Sequence, residues 1–208
     1  MKKISPFTKK PSKVIAVGLN YRAHAGELKM ETHSEPIIFI KPRTSVIWNG
    51  QKIKYPKMSK RVDYEAELAV VIGKRCKNVS EINAKKYILG YTCLNDVTAR
   101  DLQKKDCQWT RAKSFDTFCP IGPHIVSGID PDNLKIELLL NDRIKQSSST
   151  KYLIFKVEEL VSFISQVLTL EPYDVIATGT PVGVGPMKPG DKVEVKIEKI
   201  GTLVNYVI

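Results

Sequence analysis

The chain is poor in the residues that most often announce a function. Its 208 residues include four cysteines, three histidines and two tryptophans. Cys76, Cys93, Cys107 and Cys119 are widely spaced and form no CxxC pair. That excludes the close-pair pattern of a structural zinc site and predicts reduced, mostly buried thiols. No stretch approaches 18 consecutive apolar residues, so a membrane-spanning helix is excluded. The positive N-terminus, MKKISPFTKKPSK, leads only into a short apolar stretch, Val14 to Val17. This is too short for the core of a secretory leader, and a cytoplasmic protein is expected. There is no internal repeat and no low-complexity segment. Acidic residues are in the minority, 22 against 33 lysines and arginines, giving a net charge of +11. The basic residues are nevertheless scattered, and the aromatic residues are not interleaved with them as stacking platforms. Nucleic acid is therefore not the expected partner; the charge serves solubility and a mild attraction for small anions.

What is present reads as an ordinary globular chain, 42% hydrophobic and 26% charged, of a length that fits one domain. Strands are expected at Val14–Val17, at Ile37–Ile40 (stopped by Lys41-Pro42), and from Glu65 to Ile72, ended by Gly73. Further strands are expected at Leu134–Leu140 and Asp174–Thr178, and a hairpin in the tail, turning near Gly201. Ser80 predicts a helix through about Leu89. Thr98 with Asp101 resembles a capping box opening a short helix through Gln103. Val157, Leu160, Val161, Ile164, Val167 and Leu168 fall at helical spacing. Strands outnumber helices without a βαβ rhythm, so the fold class is α+β and mostly β.

Three clusters carry possible chemistry. In a strand, Glu65 and Glu67 share a face, and two such carboxylates repel unless a cation lies between them or one takes a proton. Hard oxygen donors suit Mg²⁺, Mn²⁺ or Ca²⁺. The alternative is the solvated face of an edge strand. Asp96, at a strand-to-helix turn, could supply a third carboxylate or simply cap the helix, on which Arg100 and Gln103 share a face. His24 and Glu27 are neighbours if their segment is helical, and a carboxylate on one imidazole nitrogen leaves the other able to deprotonate water. A solvated surface pair is the plainer reading. Two loops complete the set. Lys113 could hold an anionic oxygen, and the glycine-rich run Thr178–Gly185 offers the Thr180 hydroxyl and close backbone approach. That run lacks the GK[ST] ending of a P-loop, and its plainer reading is a hairpin turn.

Six runs in order resemble the fumarylacetoacetate hydrolase family, and in particular its short members: VGLNYRAHAGE, EPIIFIKP, DYEAELAVVIG, NDVTARDLQ, AKSFDTFCPIGP and TLEPYDVIATGTPVGVGP. Those members include acylpyruvate hydrolases and 2-hydroxyhepta-2,4-diene-1,7-dioate isomerases. The resemblance implies a roll-like β fold with few helices over residues 1–208, with a lid in 1–50 and a β-rich catalytic core in 51–208. It implies Glu65, Glu67 and Asp96 as ligands of Mg²⁺ or Mn²⁺, with Ca²⁺ as an alternative. It implies His24 and Glu27 as the water-activating pair on a closing segment. Lys113 joins the catalytic set, with Arg100, Gln103 and Thr180 at the substrate. It further implies a homodimer and a small anionic 2-oxo acid as substrate. Hydrolytic carbon–carbon cleavage of acylpyruvates through a metal-stabilised enolate is the expected reaction. Isomerisation of hydroxy-diene-dioates, decarboxylation of oxaloacetate, and a non-enzymatic basic binding module are the alternatives. Two positions depart from the pattern. Leu19 stands where some relatives carry a ligand-contacting arginine, and Tyr173 stands where a glycine is usual.

Overall fold

The structure, a computed structural model, describes residues 1–4, 7, 9–27 and 33–208. Part of the expected lid therefore lies outside the described residues. Among the described residues, three sheets carry the fold. In the largest, Cys119–Ser127, Ile88–Asn95, Ala66–Ile72, Val175–Ala177 and Val14–Gly18 lie side by side, with Lys2–Ile4 at one edge and Ile37–Lys41 at the other. Val46–Trp48 adds a parallel partner to Cys119–Ser127. A five-stranded sheet runs Arg143–Ser149, Lys135–Leu140, Lys192–Ile197, Gly201–Val207 and Lys52–Ile53. Gly185–Met187, Val62–Tyr64 and Thr98–Ala99 form a small third sheet.

The Ala66–Ile72 strand shows why this segment reads as unbroken apolar sequence rather than as an alternation. Leu68, Val70 and Ile72 enter the main core, which the five-stranded sheet shares through Ile136, Leu138, Val193 and Val195. Ala69 and Val71 face the opposite way into a second cluster with Val14, Ala16 and Ile121. A strand buried on both faces has no polar side to show. The expected helix appears as Val157–Val167, burying Val157, Leu160, Val161 and Ile164. No helix among the described residues is long and apolar enough to cross a membrane.

The mostly-β expectation agrees with this architecture, but several local expectations do not. The helix after Ser80 ends at Ala84, and Lys85–Tyr87 is a 3₁₀ turn leading into the Ile88–Asn95 strand. Ser80 makes no capping bond; its hydroxyl accepts from the Asn83 side chain instead. Thr98 does not cap a helix either: it lies in a short strand, and the helix spans Arg100–Lys105. Nor is the Ala66–Ile72 strand an edge, since it lies between Ile88–Asn95 and Val175–Ala177. The glycine-rich run is not a hairpin turn; it joins strands of two different sheets. Tyr173 has a φ of 72°, the left-handed conformation that explains the glycine expected there.

The close fit of the two inner strands is tightest at Gly90, where an added Cβ would stand 2.6 Å from the Val126 carbonyl oxygen. Backbone cannot swing aside as a side chain can. Gly90→Ala is accordingly expected to lower unfolding stability by about 1–3 kcal/mol, the usual cost of overpacking, as read from urea denaturation. An unchanged midpoint would contradict this packing.

Candidate active site

Glu65 occupies the single-residue break between Val62–Tyr64 and Ala66–Ile72. The neighbouring strand end fixes that break. The Glu65 N–H donates to Asn95 Oδ1 at 2.9 Å, and its carbonyl accepts the Asp96 N–H at 2.9 Å. Glu67 lies on the strand proper, and Asp96 just past the end of Ile88–Asn95. The three carboxylates bring oxygens within 4.8 Å of one another, all buried. Solvent cannot screen charges so placed, and each needs a partner.

Most of them have one. Lys113 Nζ bridges Glu65 at 2.9 Å and Asp96 at 2.6 Å. Lys41, which is fully buried, holds the other Asp96 oxygen at 2.5 Å. Arg100 spans Asp63 at 2.9 Å and Glu65 at 2.5 Å, and donates to Gln103 Oε1 at 2.6 Å. Glu67 differs: it joins no ion pair among the described residues and accepts only the Gly179 N–H, at 2.8 Å. Gly179 adopts a φ of 98°, and a Cβ there would lie 2.8 Å from Asn20 Cβ, so this close backbone donor requires glycine.

The electrostatics follow from these contacts. Burial alone would raise the Glu65 carboxyl, but the Lys113 and Arg100 charges outweigh it and hold it far below the usual range. The Glu67 carboxyl is pushed well up, by burial first and then by the charges of Asp96 and Glu65. Burial works to lower Lys113, yet Asp96 and Glu65 raise it, so it stays a fixed cation. The cluster therefore has one carboxylate with positive charge missing beside it and an all-oxygen donor set. A hard divalent cation fits that environment.

Eight of the nine residues singled out in the sequence, His24, Glu65, Glu67, Asp96, Arg100, Gln103, Lys113 and Thr180, line one cavity. The ninth, Glu27, stands behind His24 on the helix Arg22–Glu27, with its Oε2 2.9 Å from His24 Nδ1. Its other oxygen accepts the Gly183 N–H at 3.1 Å, tying this helix to the glycine-rich loop. His24 is 3% exposed while Glu27 lies at the surface, so only the carboxylate side of the pair is open to solvent. Asp96 caps no helix; both its oxygens face lysines.

Of the other members of the site, only Leu19 carries a signal in the sequence, as a departure from the family pattern. Leu19, Phe39 and Trp109 form an apolar wall, with the Phe39 and Trp109 rings edge to face at 5.4 Å. Leu19 holds a φ of 58°. Lys41 reads from the sequence only as the end of a strand, although alternation along Ile37–Lys41 puts it on the same face as Phe39.

Residues 13–208 match the family model described as the C-terminal domain of fumarylacetoacetate hydrolase. The chain is 43% identical to a mitochondrial oxaloacetate tautomerase of Rattus norvegicus, over 99% of its own length and 69% of that protein. Among solved structures, a 5-carboxymethyl-2-hydroxymuconate delta-isomerase of Mycobacterium smegmatis superposes with a TM-score of 0.90 at 49% identity, covering 96% of this chain and 79% of that one. Fumarylpyruvate hydrolase of Pseudomonas aeruginosa, solved with Mn²⁺ and pyruvate, gives 0.91 at 31% identity, covering 100% and 95%.

Calorimetric titration with Mn²⁺ or Mg²⁺ is expected to show one site per chain, lost when Glu65→Gln and Glu67→Gln are combined. Full binding by that double variant would place the cation elsewhere.

Proposed function

Because this chain belongs to the fumarylacetoacetate hydrolase family, we propose that it cleaves small acylpyruvates hydrolytically to pyruvate and a carboxylic acid. The observation that carries this reading is His24, buried beside the carboxylate cluster with its Nδ1 on the Glu27 carboxylate. With Glu27 accepting from Nδ1–H, the neutral imidazole keeps its lone pair on Nε2 and can take a proton from water. The hydroxide so formed attacks the distal carbonyl, the bond to the adjoining methylene breaks, and its electron pair passes toward the 2-oxo oxygen. A proton returned to carbon completes pyruvate. Lys113 stays charged and opposes the negative charge that develops, while Arg100, through Gln103, and Thr180 orient the substrate. A divalent cation held by Glu65, Glu67 and Asp96 would supply further positive charge to the chelating oxygens of a 2-oxo acid.

The free volume inside the cavity is about 20 Å³, room for a water or an ion but not for a 2-oxo acid. The Arg22–Glu27 helix is the element that must move, since it carries His24 and is latched through Glu27 to Gly183. It would thereby act as the lid.

A second reading has its own support: the relatives named as tautomerase and isomerase share more sequence with this chain than the hydrolase does. The same dyad can move a proton between carbon and oxygen of an enol without attacking water. Assays of acetylpyruvate, oxaloacetate enol and a hydroxy-diene-dioate, each with Mg²⁺, separate the two. Pyruvate release from acetylpyruvate supports hydrolysis. Enol–keto conversion or double-bond shift with no acylpyruvate turnover moves the enzyme to the isomerases. Silence on all three, with cation bound, would leave a binding module. His24→Ala is expected to lower kcat by about 10²–10⁴ with cation affinity unchanged. Loss of cation binding with normal turnover per bound ion would refute the role given to His24.

A further inference from the structure

Gln146 belongs to no family run singled out in the sequence, yet it is 1% exposed on a strand, Arg143–Ser149, whose other residues are exposed or half-buried. The cause is a bulge. Leu138 opposes Gln146 while Leu139 opposes Ile144, leaving Lys145 as the extra residue. Such a bulge re-aims a neighbouring side chain, and here it sends the Gln146 amide inward to two parts of the active site. Oε1 accepts the N–H of Ala66, the residue between Glu65 and Glu67, at 2.9 Å. Nε2 donates to the Pro181 carbonyl at 2.8 Å and to Thr180 Oγ1 at 2.9 Å.

The orientation of this amide is not open to exchange. A backbone N–H can only donate and a carbonyl can only accept, so Ala66 requires the oxygen and Pro181 the nitrogen. Both protons of Nε2 are then committed, and Thr180 Oγ1 must accept one of them. The hydroxyl's own proton is left over. Among the described residues it meets no protein acceptor, and Thr180, 3% exposed, lines the cavity.

We infer that Gln146 is a positioning residue: it sets the polarity of Thr180, obliging that hydroxyl to donate into the cavity and so to select an anionic oxygen. This rests on the proposed role of Thr180 in orienting the substrate. The bound group accordingly presents an acceptor oxygen, as a carboxylate does, and not a group that can only donate, such as an amide N–H or an ammonium.

A double-mutant cycle tests the inference, with oxalate as the probe and Mn²⁺ present, by calorimetry. In the Gln146→Glu variant the side chain carries at most one proton. The Pro181 carbonyl, which can only accept, takes that proton. The Thr180 hydroxyl then finds an acceptor where it had a donor, and turns its own proton onto the new carboxyl oxygen, away from the cavity. Thr180→Val is expected to weaken oxalate binding about 10-fold, the scale of one hydrogen bond to a charged group. Gln146→Glu should give a similar loss, and the combined variant no more than Gln146→Glu alone. Thr180→Ser should bind as the natural protein does. Mn²⁺ affinity should not weaken in any of the four, whereas a merely structural Gln146, tied to Ala66, would disturb it. Should Gln146→Glu fail to fold, Gln146→Met, which frees the hydroxyl to rotate, should give a smaller loss that likewise disappears beside Thr180→Val. Penalties that multiply in the combined variant would overturn the role of Gln146 and leave the Thr180 contact standing. Unchanged oxalate affinity in Thr180→Val would remove the contact itself, and the inference with it.

Discussion

Everything near the cavity is arranged around the repulsion among Glu65, Glu67 and Asp96, whose carboxylates crowd together out of reach of water. Buried charge of one sign is tolerated only when opposite charge is brought to it, and removing one member of such a buried pair typically costs about 3–5 kcal/mol. Lys41, Arg100 and Lys113 are the answer, each drawn from a different element: the edge strand Ile37–Lys41, the helix Arg100–Lys105 and the turn of helix Thr110–Lys113. Asp63, also buried, adds a fourth carboxylate that Arg100 shares with the half-exposed Arg61. The network therefore fastens separate parts of the chain to one point, and the strand order of the large sheet is what makes that point reachable.

The balance is incomplete by design of the backbone. Glu67 receives a peptide N–H from Gly179 but no cation, and burial, with the charges of Asp96 and Glu65, raises its carboxyl. A site satisfied to the last charge would have no affinity left for a metal ion. In the proposed reaction this unmet demand, the Lys113 cation and the Thr180 hydroxyl would serve the same small ligand, and all three converge on one cavity. His24, on the Arg22–Glu27 helix, lines the same space, and that helix is the mobile part of the arrangement in the proposed reaction.

Much of this is legible in the sequence because the informative residues occur in compact runs. The ExE pair, the His–x–x–Glu spacing and the apolar helix Val157–Val167 each follow from a short-range period, and eight of the nine site residues named from those runs and loops line one cavity. The failures share a cause. Ile88–Asn95 and Cys119–Ser127 escape recognition as strands, because segments such as ILGYTCLN carry no alternation once both faces are buried. Thr98 looks like a cap by its spacing to Asp101, but tertiary pairing to Asp63 takes its backbone into a strand and turns its hydroxyl toward the Asp96 carbonyl, 2.9 Å away. Gln146 leaves no signal at all: the bulge that buries it is a property of register between strands, invisible in RIKQSSS.

Crystals grown with Mn²⁺ and oxalate, measured at the manganese absorption edge, decide whether the carboxylate cluster holds the ion. One anomalous peak per chain is expected within ligand distance of Glu65, Glu67 and Asp96, with an oxalate oxygen within hydrogen-bond reach of Thr180 Oγ1. A peak outside this cluster, or none while Lys113 still bridges Glu65 and Asp96, would contradict it.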